Sequence, residues 1–497
     1  MKDKILFWVN ASLFHFSLAY HLQKTHDAEY FSIIDISNNA KNFFEKQNLI
    51  DFKKTWFYHD NIKQFHGEPD IEYLKSFETK YGLDLWKFAI NERIFYYYNK
   101  FHKFSRNEIL LILEQECKLY EEILDSINPD FFIIYDPPLH NSKILYELCR
   151  ARGIKTLGMF GGRLGHKSII IEDGDIFGLT ELSEIESKNR SFEELKNFKE
   201  LFNVSTQLLD YIDERPQEKT SNKINAVLKY IFHADSTNTK TNYSYFGRNK
   251  LKVLTESFKF LLRTNYRTNF LNKNLEKNLN LDQKFVYFPL QPDEEINILH
   301  KAPFYTNAIE TTRHLAKSIP IDHQLFVKEH PGQKVRGWRS ISEYKEILAI
   351  PNVILIHPSI KHETLVEKSS LVATIRGSSA ITATLYGKPT LIFGNVPELV
   401  LPSVQKVGIL DELPKLIQKL ISTQVDLSDL DKYFTWLEKN DIDFDFLGYE
   451  NMEKEFFYPG GILVDVDISD SKMKLFLEKN SSLFSELARL YVEKMKN

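Results

Sequence analysis

The sequence predicts an α/β protein with two doubly wound, Rossmann-like domains, a helical insertion between them and a helical C-terminus. Three observations predict it. The chain has 497 residues, more than one hydrophobic core usually organises, so two domains are expected. Short apolar strands alternate with longer amphipathic stretches in two separate parts of the chain, the rhythm of parallel sheets covered by helices. Between those parts, from about residue 181 to 275, β-branched runs give way to polar, Asn- and Lys-rich sequence of helical character.

Taken in order, "KILFWV", "AEYFSII", "DFFIIYD" and "KTLGMF" read as strands of a first domain over 1–180. The third and fourth are separated by "SKILYELCRARG", which has helical spacing and ends on glycine. The insertion follows over 181–275. A second domain over 276–425 carries "KFVYFPL", "HQLFVKEH", "NVILIHP", "LVATI" and "PTLIFG", apolar runs short enough to be fully buried parallel strands. From 426 to 497 the pattern is helical, ending in the amphipathic "KLFLEKNSSLFSELARLYVEKMKN". We find no internal repeat and no low-complexity tract.

Composition narrows the function classes. Hydrophobic residues make up 43% and charged residues 27% of the chain, and the formal net charge is −4. That balance argues against general binding to nucleic acid. The two cysteines, Cys117 and Cys149, are not spaced as a metal pair and fit a reducing compartment without a disulfide framework. The opening "MKDKILFWVNASLF" is apolar too briefly for a secretory signal and reads as a first strand. The expectation is a cytoplasmic protein, at most resting against the inner face of a membrane. The 15 histidines are scattered, and no metal constellation is visible.

Two strand ends carry chemistry. In a parallel α/β sheet, ligands bind beyond the carboxyl ends of the strands, where loops converge and helix N-termini present free N–H groups. His330 and Pro331 follow "LFVKE" at one such end; Gly377, Ser378 and Ser379 follow "LVATIR" at another and open the helix "SAITATLYG". The serine hydroxyls and first helical N–H groups suit a phosphate, and an imidazole across from them can donate to the same phosphate as a leaving group departs. Each feature alone has a plain structural reading, a turn for His-Pro and an N-cap for Ser-Ser. Their coincidence on consecutive βα units is what points to a site.

The segments "FVYFPLQPDEEINILHKAPFYTN", "LFVKEHPG" and "TIRGSSAITATLYGKPTLIFGN" resemble the bacterial capsular and surface polysaccharide synthesis family, whose characterised members include transferases of Kdo, an eight-carbon acidic sugar. The resemblance covers about 275–400. It implies a GT-B architecture, two Rossmann-like domains facing across a cleft with the donor nucleotide on the second. The His-Pro and Ser-Ser pairs look like the motifs with which related enzymes hold the phosphate of a CMP-sugar, which implies phosphate-side roles for His330, Pro331, Ser378 and Ser379. Glu329, Arg376, Gly377 and Gln291 adjoin them as expected nucleotide- or substrate-binding residues. Gln291, Asp293 and Ile296 fit a Q-x-D-x-x-I pattern associated with Kdo-transferring members, which implies that Asp293 attacks the anomeric carbon; as a plain alternative, Asp293, Glu294 and Glu295 form a solvated acidic loop.

On the first domain, Asp136 or Glu172 is a candidate general base for the acceptor hydroxyl, and Arg163 a candidate partner for an acidic sugar's carboxylate. The reading is therefore a metal-independent GT-B glycosyltransferase without a cofactor. It moves a sugar from a nucleotide sugar, CMP-linked, to a glycan or lipid-linked saccharide acceptor. Alternatives are a sugar-nucleotide enzyme of the UDP-GlcNAc 2-epimerase type and a non-catalytic assembly or export partner.

Overall fold

The computed structural model describes residues 2–95, 97–135, 137, 139–161, 167–172, 182–201, 242–459 and 463–496. Twelve strands among these residues form two sheets of six. The first contains β1 (Lys4–Val9), β2 (Glu29–Ile34), β3 (Phe52–Phe57), β4 (Phe131–Tyr135), β5 (Lys155–Gly161) and β6 (Ser168–Glu172), in the order β3-β2-β1-β4-β5-β6. The second contains β7 (Phe285–Pro289), β8 (Gln324–Lys328), β9 (Val353–Ile356), β10 (Leu371–Thr374), β11 (Thr390–Ile392) and β12 (Val404–Lys406), in the order β9-β8-β7-β10-β11-β12. Both orders are the doubly wound 3-2-1-4-5-6 arrangement, in which the direction of winding reverses between two central strands. The reversal lies between β1 and β4 in one sheet and between β7 and β10 in the other.

Strand periodicity explains why both faces of each sheet are covered. Along β1, Ile5, Phe7 and Val9 enter one core, and Leu6 and Trp8 enter the core on the opposite face. Along β7, Val286 and Phe288 face one way, and Phe285 and Tyr287 the other. Three strands go beyond the sequence reading. In β3, Lys53, Lys54 and Thr55 interrupt the apolar run because this is an edge strand with exposed positions. The three residues of β12 are too few for a pattern. The third, β6, pairs antiparallel with β5.

The chain crosses back at its end. Helix Leu427–Asn440 packs beside the second sheet, whereas Tyr449, Phe476, Phe484 and Tyr491 of the last helices enter a core of the first domain with Phe14. The expected helical C-terminus thus belongs to both halves, and only its amphipathic faces were visible in the sequence. Of the expected insertion, Leu182–Glu184, Phe192–Leu201 and Lys250–Asn274 are helical; residues 202–241 lie outside the described residues. The long helix Lys250–Asn274 spans the two halves. Lys252 Nζ donates to the Phe101 carbonyl, and Arg267 donates to the carbonyls of Gly337 and Trp338 at 2.9 and 2.7 Å. The halves also touch directly, with Asn91 donating to Pro303 O at 3.3 Å and Arg93 to Glu294 O at 3.4 Å.

Candidate functional site

The site is built at the reversal point of the second sheet. Gln291 follows β7, His330 follows β8, and Arg376–Ser379 follow β10, three adjacent strands whose carboxyl ends point the same way. Gln291 ties the end of β7 to the loop after β10, because its Oε1 accepts from Arg376 N at 3.1 Å and its Nε2 lies beside Gly377. Gly377 N donates to Thr374 Oγ1 at 3.0 Å, so close that an added Cβ would stand 2.7 Å from that oxygen. Only glycine allows this approach. Ser378 is exposed and makes no side-chain cap bond, while Ser379 opens the helix Ser379–Leu385. The N-cap reading of Ser378 is therefore corrected: its backbone is already helical, which leaves the hydroxyl directed outward rather than back onto the helix.

His330 is held in a defined tautomer. Gly332 N donates to its Nδ1 at 3.0 Å, so the neutral ring carries its proton on Nε2. Burial, then the charges of Lys328, Arg339 and Arg336, push its pKa down to about 4. The ring is neutral at pH 7 and offers one N–H. Pro331 begins the tight turn Pro331–Arg336 that folds Gly332 back under the imidazole.

Beneath this turn lies an ion network that sequence reasoning did not find. Arg339 donates through Nε to Glu329 Oε2 at 2.9 Å, to Asp293 Oδ1, and through NH2 to Gln291 O at 2.6 Å. Glu329 also accepts from His330 N at 2.7 Å and from Tyr344 OH at 2.8 Å. The expected substrate contact of Glu329 is thus corrected: it is fully buried with both oxygens engaged, and it braces the backbone of His330 instead. Asp293 is not a solvated loop carboxylate either. Arg339 and Gln333 hold it, its side chain remains 21% exposed, and burial raises its pKa against the pull of Arg339. The turn that delivers Arg339 carries two consecutive left-handed residues, Gly337 (φ 81°) and Trp338 (φ 58°). "RGWRSISE", a glycine turn followed by the Ser340–Glu343 capping box, is the signal that could have located it.

Arg376 is buried, and its Nε donates to Asn395 O at 2.6 Å. It ties the loops after β10 and β11 together. Beside these loops a cavity of about 430 Å³ opens between the halves, lined by Lys87 of the first domain and by Lys301, Tyr305, Asn395 and Lys406 of the second. Its lining contains three lysines and no carboxylate. Among the described residues, no group of three or more His, Cys, Asp or Glu side chains is placed to hold a metal ion.

Of the first-domain candidates, Asp136 and Arg163 lie outside the described residues. Glu172 is displaced from the site. Because β6 runs antiparallel, Glu172 sits opposite Leu157 near the start of β5, at the amino end of the parallel strands. There its carboxylate pairs with Lys155 at 3.1 Å and Lys494 at 3.4 Å. A second network missed in the sequence lies beyond β4. His140 sits between Glu92 (3.0 Å) and Glu116 (3.1 Å), with all three side chains fully buried. Tyr243 OH meets His140 Nε2 at 3.3 Å, and Tyr58 donates to Glu116. Single His and Glu residues on two helices and a loop, far apart in the chain, gave no local pattern for it.

Residues 205–397 match the model of the capsule polysaccharide biosynthesis protein family. No curated protein matches the chain. Among solved structures, UDP-GlcNAc 2-epimerase from Methanocaldococcus jannaschii is 14% identical over 88% of this chain and 99% of its own, with a TM-score of 0.24. KpsC of Thermosulfurimonas dismutans, described as a beta Kdo 2,7 transferase, is 10% identical over 63% of this chain and 79% of its own, with a TM-score of 0.30.

Proposed function

We propose that this chain, with its segment of the capsule polysaccharide biosynthesis family, is a glycosyltransferase that takes an acidic sugar from a CMP-linked donor. The sugar goes to a glycan or lipid-linked saccharide. The observation that carries the reading is that the His330 turn and the Gly377–Ser379 loop lie at the carboxyl ends of β8 and β10, the two strands flanking β7, whose own end places Gln291 against the Gly377 loop. The donor phosphate accepts from the hydroxyls and N–H groups of Ser378 and Ser379 on one side and from His330 on the other. His330 works as a neutral hydrogen-bond donor, stabilising charge on the departing phosphate without losing its own proton. The cluster of Lys87, Lys301 and Lys406 beside the loops, with no carboxylate among its lining, suits the carboxylate of an acidic sugar. A cavity of that size also accommodates one sugar ring. No metal ion has a part in this scheme.

Asp293 is the residue on which the mechanism turns. As a nucleophile it breaks from Arg339 and bonds to the anomeric carbon as the nucleotide leaves; as a positioning residue it stays on Arg339 and keeps the His330 turn in place. Intact-protein mass spectrometry after adding CMP-Kdo without acceptor separates the two. A single added sugar mass that is absent in Asp293→Ala establishes the adduct, and wild-type-like transfer by that variant removes the catalytic role. Calorimetric titration with CMP and with UDP tests the donor: binding of UDP alone sinks the CMP assignment, and binding of neither sinks the transferase reading.

A further inference from the structure

The helix Lys250–Asn274 presents an apolar stripe to solvent. Leu251, Phe258, Leu261, Leu262 and Tyr266 are each 54 to 73% exposed. Leu251, Phe258, Leu262 and Tyr266 recur at intervals of seven, four and four residues, which stacks them along one face. The opposite face holds the helix to the protein. Leu271 is buried there, Thr268 accepts from Trp338 Nε1 at 2.9 Å, and Phe260 lies against Gly337. The exposed stripe therefore contributes nothing to the fold among the described residues, yet it costs hydration of five large side chains.

Charge identifies the occupant. The helix carries Lys250, Lys252, Lys259, Arg263, Arg267 and Lys273 against one acid, Glu256, in a chain whose formal net charge is −4. Lys252 and Arg267 bond back onto the protein, while Lys259 and Arg263 flank the stripe with about half of each side chain exposed, sharing the single carboxylate of Glu256 at 2.7 and 3.9 Å and so leaving a net positive flank. We infer that this face docks on the surface of an anionic lipid bilayer, with the stripe among the acyl-chain boundaries and Lys259 and Arg263 at the headgroup phosphates. A second copy of this helix would set cation against cation, with only Glu256 to compensate. Nucleic acid would leave the leucines of the stripe without stacking partners, whereas an interfacial helix uses an apolar face with a basic flank. No helix among the described residues is long and apolar enough to cross a membrane, so the contact is a peripheral one. Because the helix is anchored to both halves, docking would orient both relative to the lipid.

The test uses the full chain without nucleotide, so its outcome is independent of the donor assignment. Co-sedimentation is measured with phosphatidylcholine vesicles and with vesicles that also contain phosphatidylglycerol. Binding is expected only to the anionic vesicles and should weaken as salt is raised. Phe258→Ser with Leu262→Ser, and separately Lys259→Glu with Arg263→Glu, should each lower vesicle affinity roughly tenfold or more. Melting temperature should stay unchanged, since these side chains are exposed. Absence of wild-type binding, or wild-type binding by both variants, overturns the inference. So does a dimer seen by light scattering that dissociates in the Phe258/Leu262 variant, which would assign the face to a second copy.

Discussion

Each half of the molecule buries a cation between two carboxylates near a strand end, and the two arrangements differ in one respect. In the first domain, His140 lies between Glu92 and Glu116, all three without exposure, and the hydroxyls of Tyr58 and Tyr243 close the network. In the second, Arg339 lies between Glu329 and Asp293; the first two are sealed, but Asp293 reaches solvent and the turn above it holds His330. A sealed network can only hold structure, because no ligand reaches it. The open one braces the backbone of a residue, His330, whose ring stays partly exposed. The difference shows in the pKa values. Burial works against charge on His140, but Glu116 and Glu92 raise its pKa to about 10, so it is an imidazolium at pH 7. His330, lowered first by burial and then by the cations around it, is neutral.

The sharpest way to break this comparison is His330→Ala. If the ring serves the departing phosphate as proposed, turnover should fall by roughly 10²- to 10⁴-fold with little change in melting temperature. Steady-state transfer assays and a thermal melt check both halves of that statement, and an active variant removes His330 from the chemistry. His140→Ala should do the reverse. It leaves two buried carboxylates without their cation and should cost about 3–5 kcal/mol of stability, read by denaturant unfolding, with CMP affinity retained in the folded fraction. An equal loss of CMP affinity would mean the two networks are not separate in function.

A pH series sharpens the comparison further. The folded pKa of His140 is raised to about 10 from 6.5, so its contribution is complete below about 6.5 and is lost as pH rises through about 10. Glu92, where His140 outweighs the effect of burial, is held at about 2 against 4.5. Its contribution is complete above about 4.5 and lost as pH falls through about 2. Stability should therefore decline from pH 7 to 10, and the alkaline decline should flatten in a folded His140 variant; an unchanged slope argues against a charged His140. The smallest expected effect is Glu172→Gln. At the amino end of the sheet, paired with two lysines, it should change transfer by less than about twofold. A loss of tenfold or more would return it to the site.

The parts legible in the sequence share a physical property: they are local. Apolar runs of five or six residues give β1, β2, β4, β7 and β8 because a strand buried on both faces must be apolar throughout. Gly377 marks a close approach because an added Cβ would stand 2.7 Å from Thr374 Oγ1. The antiparallel turn of β6 was not legible, since "SIIIE" reads the same in either direction, and it decided that Glu172 leaves the site. Arg339 was not legible because its partners, Asp293 and Glu329, lie 46 and 10 residues away along the chain.

Sequence alone established two parallel α/β domains and the strand ends at Gln291, His330 and Ser378–Ser379, for these depend on hydrophobic period and on turn residues written within a few positions of one another. Tertiary structure decided the rest. It made Glu329 a brace rather than a ligand, turned Arg376 onto Asn395, paired Asp293 with Arg339 and carried the last helices back to the first domain. Burial and pairing across long stretches of chain exist only once the sheets are stacked, and the low dielectric of that interior sets which groups stay charged.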